Sequence, residues 1–515
     1  MTIIGIDLGT TFSAISTIDD IGYPEILPSL ENSRITPSVV FIGENKNILV
    51  GEAAVNSGMV DKNRCIREVK KKMGNSDEVF DITSGQWIKS NSDRDTKFTP
   101  AEISAFILGK LKNHGSDVKD VVITIPACFQ ERARKATEQA AEIAGLNCLD
   151  VINEPTAAIL HYANLPGTSL SGRVVVFDLG GGTFDVTIAD VNGKDIEVIT
   201  SRGDSYLGGT DFDKEICNIF SKKYESEKNS SLDINAKLIT QAERVKKILS
   251  TKETASNVVD GPDGPLKIDI SREEFIESIS SYLEKIKMLL EECMEKSNTD
   301  KSQISEILLV GGSTRIPEVV KLITDKLGKM PTKGVNVDEA VASGAAIKAA
   351  LLSTDKLNSA QKRSIEDVSL QDVLNYYFGT LASIPDSTGK YNTKNSIILY
   401  RDSKVPVEKT EKYVTLSDNQ TIVDVSVTQS ANEEDDPEFC DIIYNSTLEL
   451  PPNRPAGQEI LVSYNYSGVT LSAKFTDTDS GKQKTVELNL TGATSSVKNQ
   501  GIDDKDPFLD FNIED

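Results

Sequence analysis

The chain has 515 residues, 38% of them hydrophobic and 26% charged, with a net charge of −23. That length exceeds one hydrophobic core and predicts two or more domains. The excess of acid excludes nucleic acid and anionic lipid as partners, so an anionic substrate would need a metal ion or backbone N–H groups to hold it.

The opening MTIIGID has neither the basic segment nor the apolar core of a signal peptide. No apolar run approaches the roughly 18 residues of a membrane span. Cysteines at 65, 128, 148, 217, 293 and 440 form no close pair, and two histidines cannot build an imidazole cage. These features predict a cytoplasmic chain with free thiols.

Residues 3–13 read IIGIDLGTTFS, an apolar strand that ends on Asp7 and runs into Gly9, Thr10 and Thr11. Thr99-Pro-Ala-Glu102 is a capping box with proline at the first helical position. VVITIP at 121–126 is a wholly apolar strand, and a helix over 131–144 stops at Gly145. Further apolar strands fall at 174–177 and 307–310, with a second capping box at Ser271-Arg-Glu-Glu274 between them. Such runs suit sheets covered by helices on both faces. Residues 353–366 are polar without strong periodicity, and acids alternate with apolar residues over 367–373. From about 395 the pattern is all-β: Val423, Val425 and Val427 alternate with Asp424 and Ser426, and turns such as Ser417-Asp-Asn419 and Asp479-Ser-Gly481 separate the strands. Period two predicts one buried and one wet face, hence an antiparallel sandwich.

One segment echoes the start. Residues 176–187 read VFDLGGGTFDVT, and Asp178 stands 171 positions after Asp7. That distance is too long for a solenoid repeat and fits two related α/β halves. A single Asp-Leu-Gly turn is an ordinary strand end. Two of them facing across a cleft make a phosphate clamp, in which glycines let backbone N–H groups approach oxygens and threonines add donors. The aspartates cannot touch phosphate, but they can hold a Mg²⁺ through its waters. No G-x-x-x-x-G-K-[ST] string is present, which excludes a P-loop enzyme.

GIDLGTTFS at 5–13, VFDLGGGTFDVT at 176–187, NEPTAA at 153–158 and LVGGSTRIP at 309–317 together resemble the heat-shock protein 70 (DnaK-like) chaperones. The resemblance implies an actin-like ATPase with duplicated ribonuclease-H-like halves in two lobes, followed by an antiparallel β-sandwich that binds peptides. The implied boundaries are 1–354 for the ATPase, 355–373 for the linker, 374–491 for the sandwich and 492–515 for an acidic, disordered tail without the helical lid of the family. The implied function is ATP-dependent binding of extended hydrophobic peptides. The alternative is a regulatory, exchange-factor-like relative that keeps ATP as a structural ligand.

Carried over residue by residue, the resemblance makes Lys70, Glu154, Asp178 and Thr183 catalytic, and lets Asp7 and Asp178 order the water shell of Mg²⁺. Gly9, Thr10, Thr11, Phe12, Gly180, Gly181 and Gly182 form the phosphate loops. Gly209, Glu243, Lys246, Lys247, Ser250, Gly311, Gly312, Ser313, Arg315 and Asp338 surround the nucleoside. Leu416, Val423 and Val425 line the peptide cleft. ATP or ADP, Mg²⁺ and K⁺ are the implied cofactors, and the implied partners of a monomer are unfolded peptides, a J-domain co-chaperone and a nucleotide exchange factor.

Some positions depart from the family. Lys247 replaces an arginine over adenine, and an ammonium stacks less well than a planar guanidinium. Phe12 and Val337 also differ. Asp150 stands where bacterial members carry an arginine used in J-domain coupling. The linker reads VSLQ at 368–371 in place of four aliphatics, and Gly379–Ser383 lacks the bulky residues of the first cleft loop.

Overall fold

The computed structural model describes residues 2–488 and 512–513, apart from 45–46, 76, 91–95, 116–117, 168–169, 333–335 and 469. The apolar run at the start forms the strand Thr2–Asp7 at the centre of the lobe I sheet. It pairs parallel to Val118–Ile125 and antiparallel to Phe12–Ile18; Asn147–Asn153 and Pro24–Ile26 lie at the two ends. Lobe II repeats the plan with Ser171–Leu179, Phe184–Asn192 and Asp195–Asp204 as an antiparallel meander and Ile304–Val310 as its parallel neighbour. The corresponding registers are Asp7 opposite Ala14 and Asp178 opposite Asp185, so each half presents its acid at the same place, beside the loop between its first two strands.

The lobes meet through two helices, Glu154–Ala163 and Ala340–Leu352. They cross in close backbone approach at Gly344. A Cβ on Gly344 would lie 1.7 Å from the Ala157 carbonyl oxygen, so only glycine fits there. Ala157, Ala345, Ala346 and Ala350 fill the rest of this central core, with Val122, Val174 and Val176 beneath them.

The helix Pro100–Lys112 starts with the expected capping box on Thr99 and Glu102. At Ser271 only half of the expected box forms: Ser271 caps the Glu274 N–H, while the Glu274 carboxylate accepts from Lys223 Nζ at 2.7 Å. A nearby cation outbids a backbone N–H for a carboxylate.

Two four-stranded antiparallel sheets make the β-domain: Tyr391–Leu399, Tyr377–Pro385, Ile422–Ser430 and Asp441–Glu449 in one, and Val407–Val414, Glu459–Tyr466, Leu471–Asp477 and Gln483–Leu488 in the other. Leu471, Ala473 and Phe475 point inward, alternating with the less buried Ser472 and Lys474. Ile422–Ser430 breaks its own pattern, because Ser426 and Thr428 are buried as well as Val425 and Val427. Partners compensate their hydroxyls: Leu381 N–H donates to Ser426 Oγ at 2.9 Å, and Thr428 Oγ1 donates to Asn395 Oδ1 at 2.6 Å.

The expected linker over 355–373 is shorter in the structure. Ser359–Ile365 is a helix with an Asn358/Gln361 capping box, and Leu357 and Ile365 are buried in the central core. Seven helical residues with two apolar anchors give too little periodicity to read in sequence. Ser369–Gln371 then adds to the lobe II sheet as a fifth strand, parallel to Asp195–Glu197. The chain thus enters the β-domain directly from the edge of an ATPase sheet. Within the expected tail, 492–511 and 514–515 lie outside the described residues. Asn512–Ile513 is a short strand parallel to Asn47–Ile48, against the expectation of disorder throughout.

Candidate active site

The two expected phosphate loops face each other across the lobe boundary. A Cβ on Gly181 would lie 2.6 Å from Thr11 Oγ1, and one on Gly182 would lie 2.6 Å from Thr10 Cγ2. The glycines thus admit the hydroxyls of the opposite lobe and leave backbone N–H groups bare on both sides. Gly9 N–H donates to Ser13 Oγ at 3.2 Å, which fixes the first loop. Gly209 N–H and Ser313 Oγ both donate to the Gly180 carbonyl, at 3.0 and 2.9 Å. Thr183 is buried at the turn, and its carbonyl accepts from Gly180 N–H.

Behind the loops sits a cluster of acids with one lysine. Lys70 and Glu154 form an ion pair, each side chain less than one-tenth exposed. Lys70 rises from a short 3₁₀ turn, Val69–Lys72; Glu154 opens the helix Glu154–Ala163, with Pro155 next to it. Burial would pull the Lys70 ammonium down, but Glu154 and Asp7 outweigh it and raise its pKa. Burial, then the Glu154 charge, pushes the Asp7 carboxyl up to about 7, although Thr124 Oγ1 donates to it at 3.1 Å. Asp178 is raised well above the usual carboxylate range by burial and by the charges of Glu154, Asp185 and Asp7.

This donor set fits Mg²⁺ held through water. Crowded buried carboxylates with raised pKa values are stabilised by a cation, and a hydrated Mg²⁺ supplies one without requiring direct ligands. Among the described residues no group of three or more His, Cys, Asp or Glu side chains is close enough to ligate a metal directly.

The residues expected around a nucleoside come from lobe II, with Phe12 of lobe I opposite them. Lys247 Nζ lies 5.5 Å from the Phe12 ring centroid, spanning the cleft, and pairs with Glu243 at 2.7 Å. Lys246 is buried and committed, donating to the Gly209 carbonyl at 2.7 Å and to Asp213 at 2.9 Å. Ser250 Oγ donates to the Lys246 carbonyl. Arg315 grips Asp338 with two hydrogen bonds, at 3.1 and 2.7 Å, and Gly312 lies beside that pair. Gly311 has φ of 80°, and a Cβ there would meet the Leu179 carbonyl at 2.4 Å.

Two residues of this cleft escaped the sequence reading. Lys71 Nζ crosses the cleft to Thr210 Oγ1 at 2.8 Å and to Asp211 at 3.0 Å. A run of three lysines gives no sign of which one turns inward. Asp185 accepts from the N–H groups of Ala127 and Cys128, at 3.1 and 3.0 Å. Its signal was its place in the second echo, where it falls directly opposite Asp178.

The expected peptide-binding residues separate. Leu416 is 45% exposed, whereas Val425 is 1% exposed inside the sandwich and Val423 packs against that core. Val425 is therefore a core residue and not a cleft residue. Strand alternation alone assigns a face and cannot tell whether a core or a groove lies against it.

The sequence profile described as Hsp70 protein matches residues 3–504. The chain belongs to the Hsp70 family. It is 36% identical over 507 residues to the chaperone protein DnaK of Thermotoga maritima, covering 94% of this chain and 80% of that one. To the chaperone protein DnaK of Cyanidium caldarium it is 34% identical over 530 residues, covering 97% and 81%. To that of Thalassiosira pseudonana it is 35% identical over 516 residues, covering 94% and 82%. This Hsp70 chain is an ATP-dependent chaperone and an ATPase, with the mixed α/β ATPase fold and C-terminal antiparallel sheets of its family. No helix among its described residues is long and apolar enough to cross a membrane.

Proposed function

We propose that Lys70, Glu154, Asp178 and Thr183 run a slow, Mg²⁺-dependent hydrolysis of ATP that controls peptide binding by the β-domain. The observation that carries this reading is the buried Lys70–Glu154 pair beneath two apposed glycine–threonine loops. Backbone N–H groups of Gly180, Gly181 and Gly182 and the hydroxyls of Thr10, Thr11 and Thr183 hold the β- and γ-phosphates. Asp7 and Asp178 would hold a hydrated Mg²⁺ through its waters, and that ion would supply positive charge against the phosphates; K⁺ would be a second cation of the site. Lys70 leaves Glu154 for the γ-phosphate, where its charge stabilises the transferring group, and the freed Glu154 orients the attacking water. Glu243 and Lys246 take the ribose hydroxyls, Lys246 turning from Asp213 to do so. Lys247, Ser250, Gly311, Gly312, Ser313, Arg315 and Asp338 enclose the adenosine.

The β-domain, within 374–491, takes extended apolar segments near Leu416, with Val423 behind it. Backbone pairing supplies affinity in such recognition and pockets supply selectivity. Nucleotide state reaches it through the strand Ser369–Gln371, which sits in the lobe II sheet in the docked arrangement. Asp150 bears on co-chaperones. It is buried and shared between Arg134 at 3.6 Å and Lys348 at 3.3 Å, so a J-domain partner must engage other residues while the domains are docked. That burial favours the second reading, a regulatory relative with a dedicated partner. A monomer in the cytoplasm, with an exchange factor for ADP, completes the proposal.

Single-turnover ATP hydrolysis, with and without a short apolar peptide, tests it beside Lys70→Ala. Slow hydrolysis that the peptide accelerates, and that Lys70→Ala abolishes while ATP still binds, is expected. Binding without hydrolysis, or hydrolysis indifferent to peptide, would move the assignment to the regulatory reading.

A further inference from the structure

The turns after the second strand of each lobe sheet, around Ile21 and Lys194, lie at the ends of their strands opposite the phosphate loops. Between them, under the helix Ser359–Ile365, is a cleft of about 440 Å³. Its walls include Ile21, Tyr23, Leu165 and Ile347, and its charged groups are Lys194 and Arg363. No carboxylate is among its lining residues, although the chain carries 79 acids against 56 bases.

Among the described residues neither charge meets a carboxylate. The Lys194 ammonium donates to the carbonyls of Ser364 at 2.6 Å and Glu366 at 3.4 Å, both uncharged acceptors. Arg363 is exposed and, among the described residues, makes no hydrogen bond or ion pair. A guanidinium fork without a partner, set against an apolar wall, matches an oxyanion carried on a hydrocarbon body. The volume lies within the range of about 300–1,000 Å³ usual for small-ligand sites.

We infer that this cleft binds a small amphipathic carboxylate, its head on Arg363 and Lys194 and its apolar body against Ile21, Leu165 and Ile347. The site is separate from the nucleotide and peptide sites. It touches the linker, because the Lys194 carbonyl accepts from Ser369 N–H at 3.0 Å, where the linker strand begins. A carboxylate there would brace the helix Ser359–Ile365 against the turn at Lys194.

Octanoate is the probe, titrated into the full chain labelled at isoleucine methyls and followed by NMR. Saturable shifts at Ile21, Ile347 and Ile365 are expected. Neutral octanamide should bind about tenfold or more weakly, since a charge-assisted hydrogen bond is worth about 1.5–3 kcal/mol. Arg363→Gln should weaken octanoate by a similar factor and leave methyl signals elsewhere unchanged, and inorganic phosphate should not shift these methyls. Equal binding of octanoate and octanamide, an unaltered affinity in Arg363→Gln, an equal response to phosphate, or no shift at these isoleucines would each overturn the site.

Discussion

The Arg202 guanidinium, on the last strand of the lobe II meander, holds both carboxylate oxygens of Asp402 in the β-domain, at 3.2 and 3.0 Å. Thr200 Oγ1 donates to the same carboxylate at 2.8 Å, and Arg401 donates back to the Ser201 carbonyl at 2.6 Å. Together with the linker strand, this knot fixes the β-domain against the ATPase. Arg202 is 3% exposed, and Glu292 is its other carboxylate partner, at 2.7 Å. Asp402→Ala should therefore weaken docking by about 2–3 kcal/mol without unfolding either domain. Amide hydrogen exchange of Ser369 and Gln371 measures it: protection there should fall by roughly 30-fold or more, while the Phe177–Leu179 amides keep theirs.

Gly344 is the tightest point of the lobe crossing. Gly344→Ala pushes a methyl into the Ala157 carbonyl, and a backbone atom cannot step aside as a side chain can. A loss of about 3 kcal/mol or more is expected in thermal or denaturant unfolding of the ATPase. Ala349→Ser on the same helix would be a poor control because it is also buried. Lys362→Ala, on the exposed face of the next helix, should change stability by less than about 0.5 kcal/mol.

Val425 and Leu416 should answer differently. Val425→Ala should cost about 2 kcal/mol of β-domain stability, because it empties a filled core site. Leu416→Ser should cost less than about 0.5 kcal/mol, because the side chain is already near half exposed, yet it should weaken an apolar peptide several-fold. Urea unfolding paired with fluorescence anisotropy of a labelled peptide separates the two effects. Equal stability losses would show that Leu416 is packed after all.

His161 sets an acid limit. Burial lowers its pKa from 6.5 to about 4, and among the described residues its buried Nδ1 has no hydrogen-bond partner. The folded protein keeps the ring neutral while the unfolded chain takes up a proton below its ordinary pKa. Stability from this group is complete above about pH 6.5 and is lost as pH falls towards 4, by up to about 3 kcal/mol. His161→Gln should flatten that part of the stability profile between pH 6.5 and 4, read from denaturant midpoints at successive pH values.

Much of the fold was written in local pattern. The Asp7 and Asp178 turns announce two equivalent halves because a strand ending on an acid before glycine and threonine is constrained by backbone chemistry alone. Leu471, Ala473 and Phe475 place themselves by period two, and Thr99 and Glu102 place a helix start, because each signal is complete within a few residues. What the sequence could not decide were relationships between distant segments. That Lys70 meets Glu154 while Lys71 reaches Asp211 depends on partners 84 and 140 residues further along the chain. Whether Val425 faces core or groove depends on the opposite sheet. That Ser369–Gln371 is a strand depends on an open edge at Asp195–Glu197, since three residues have no periodicity and gain their hydrogen bonds only from a sheet already folded.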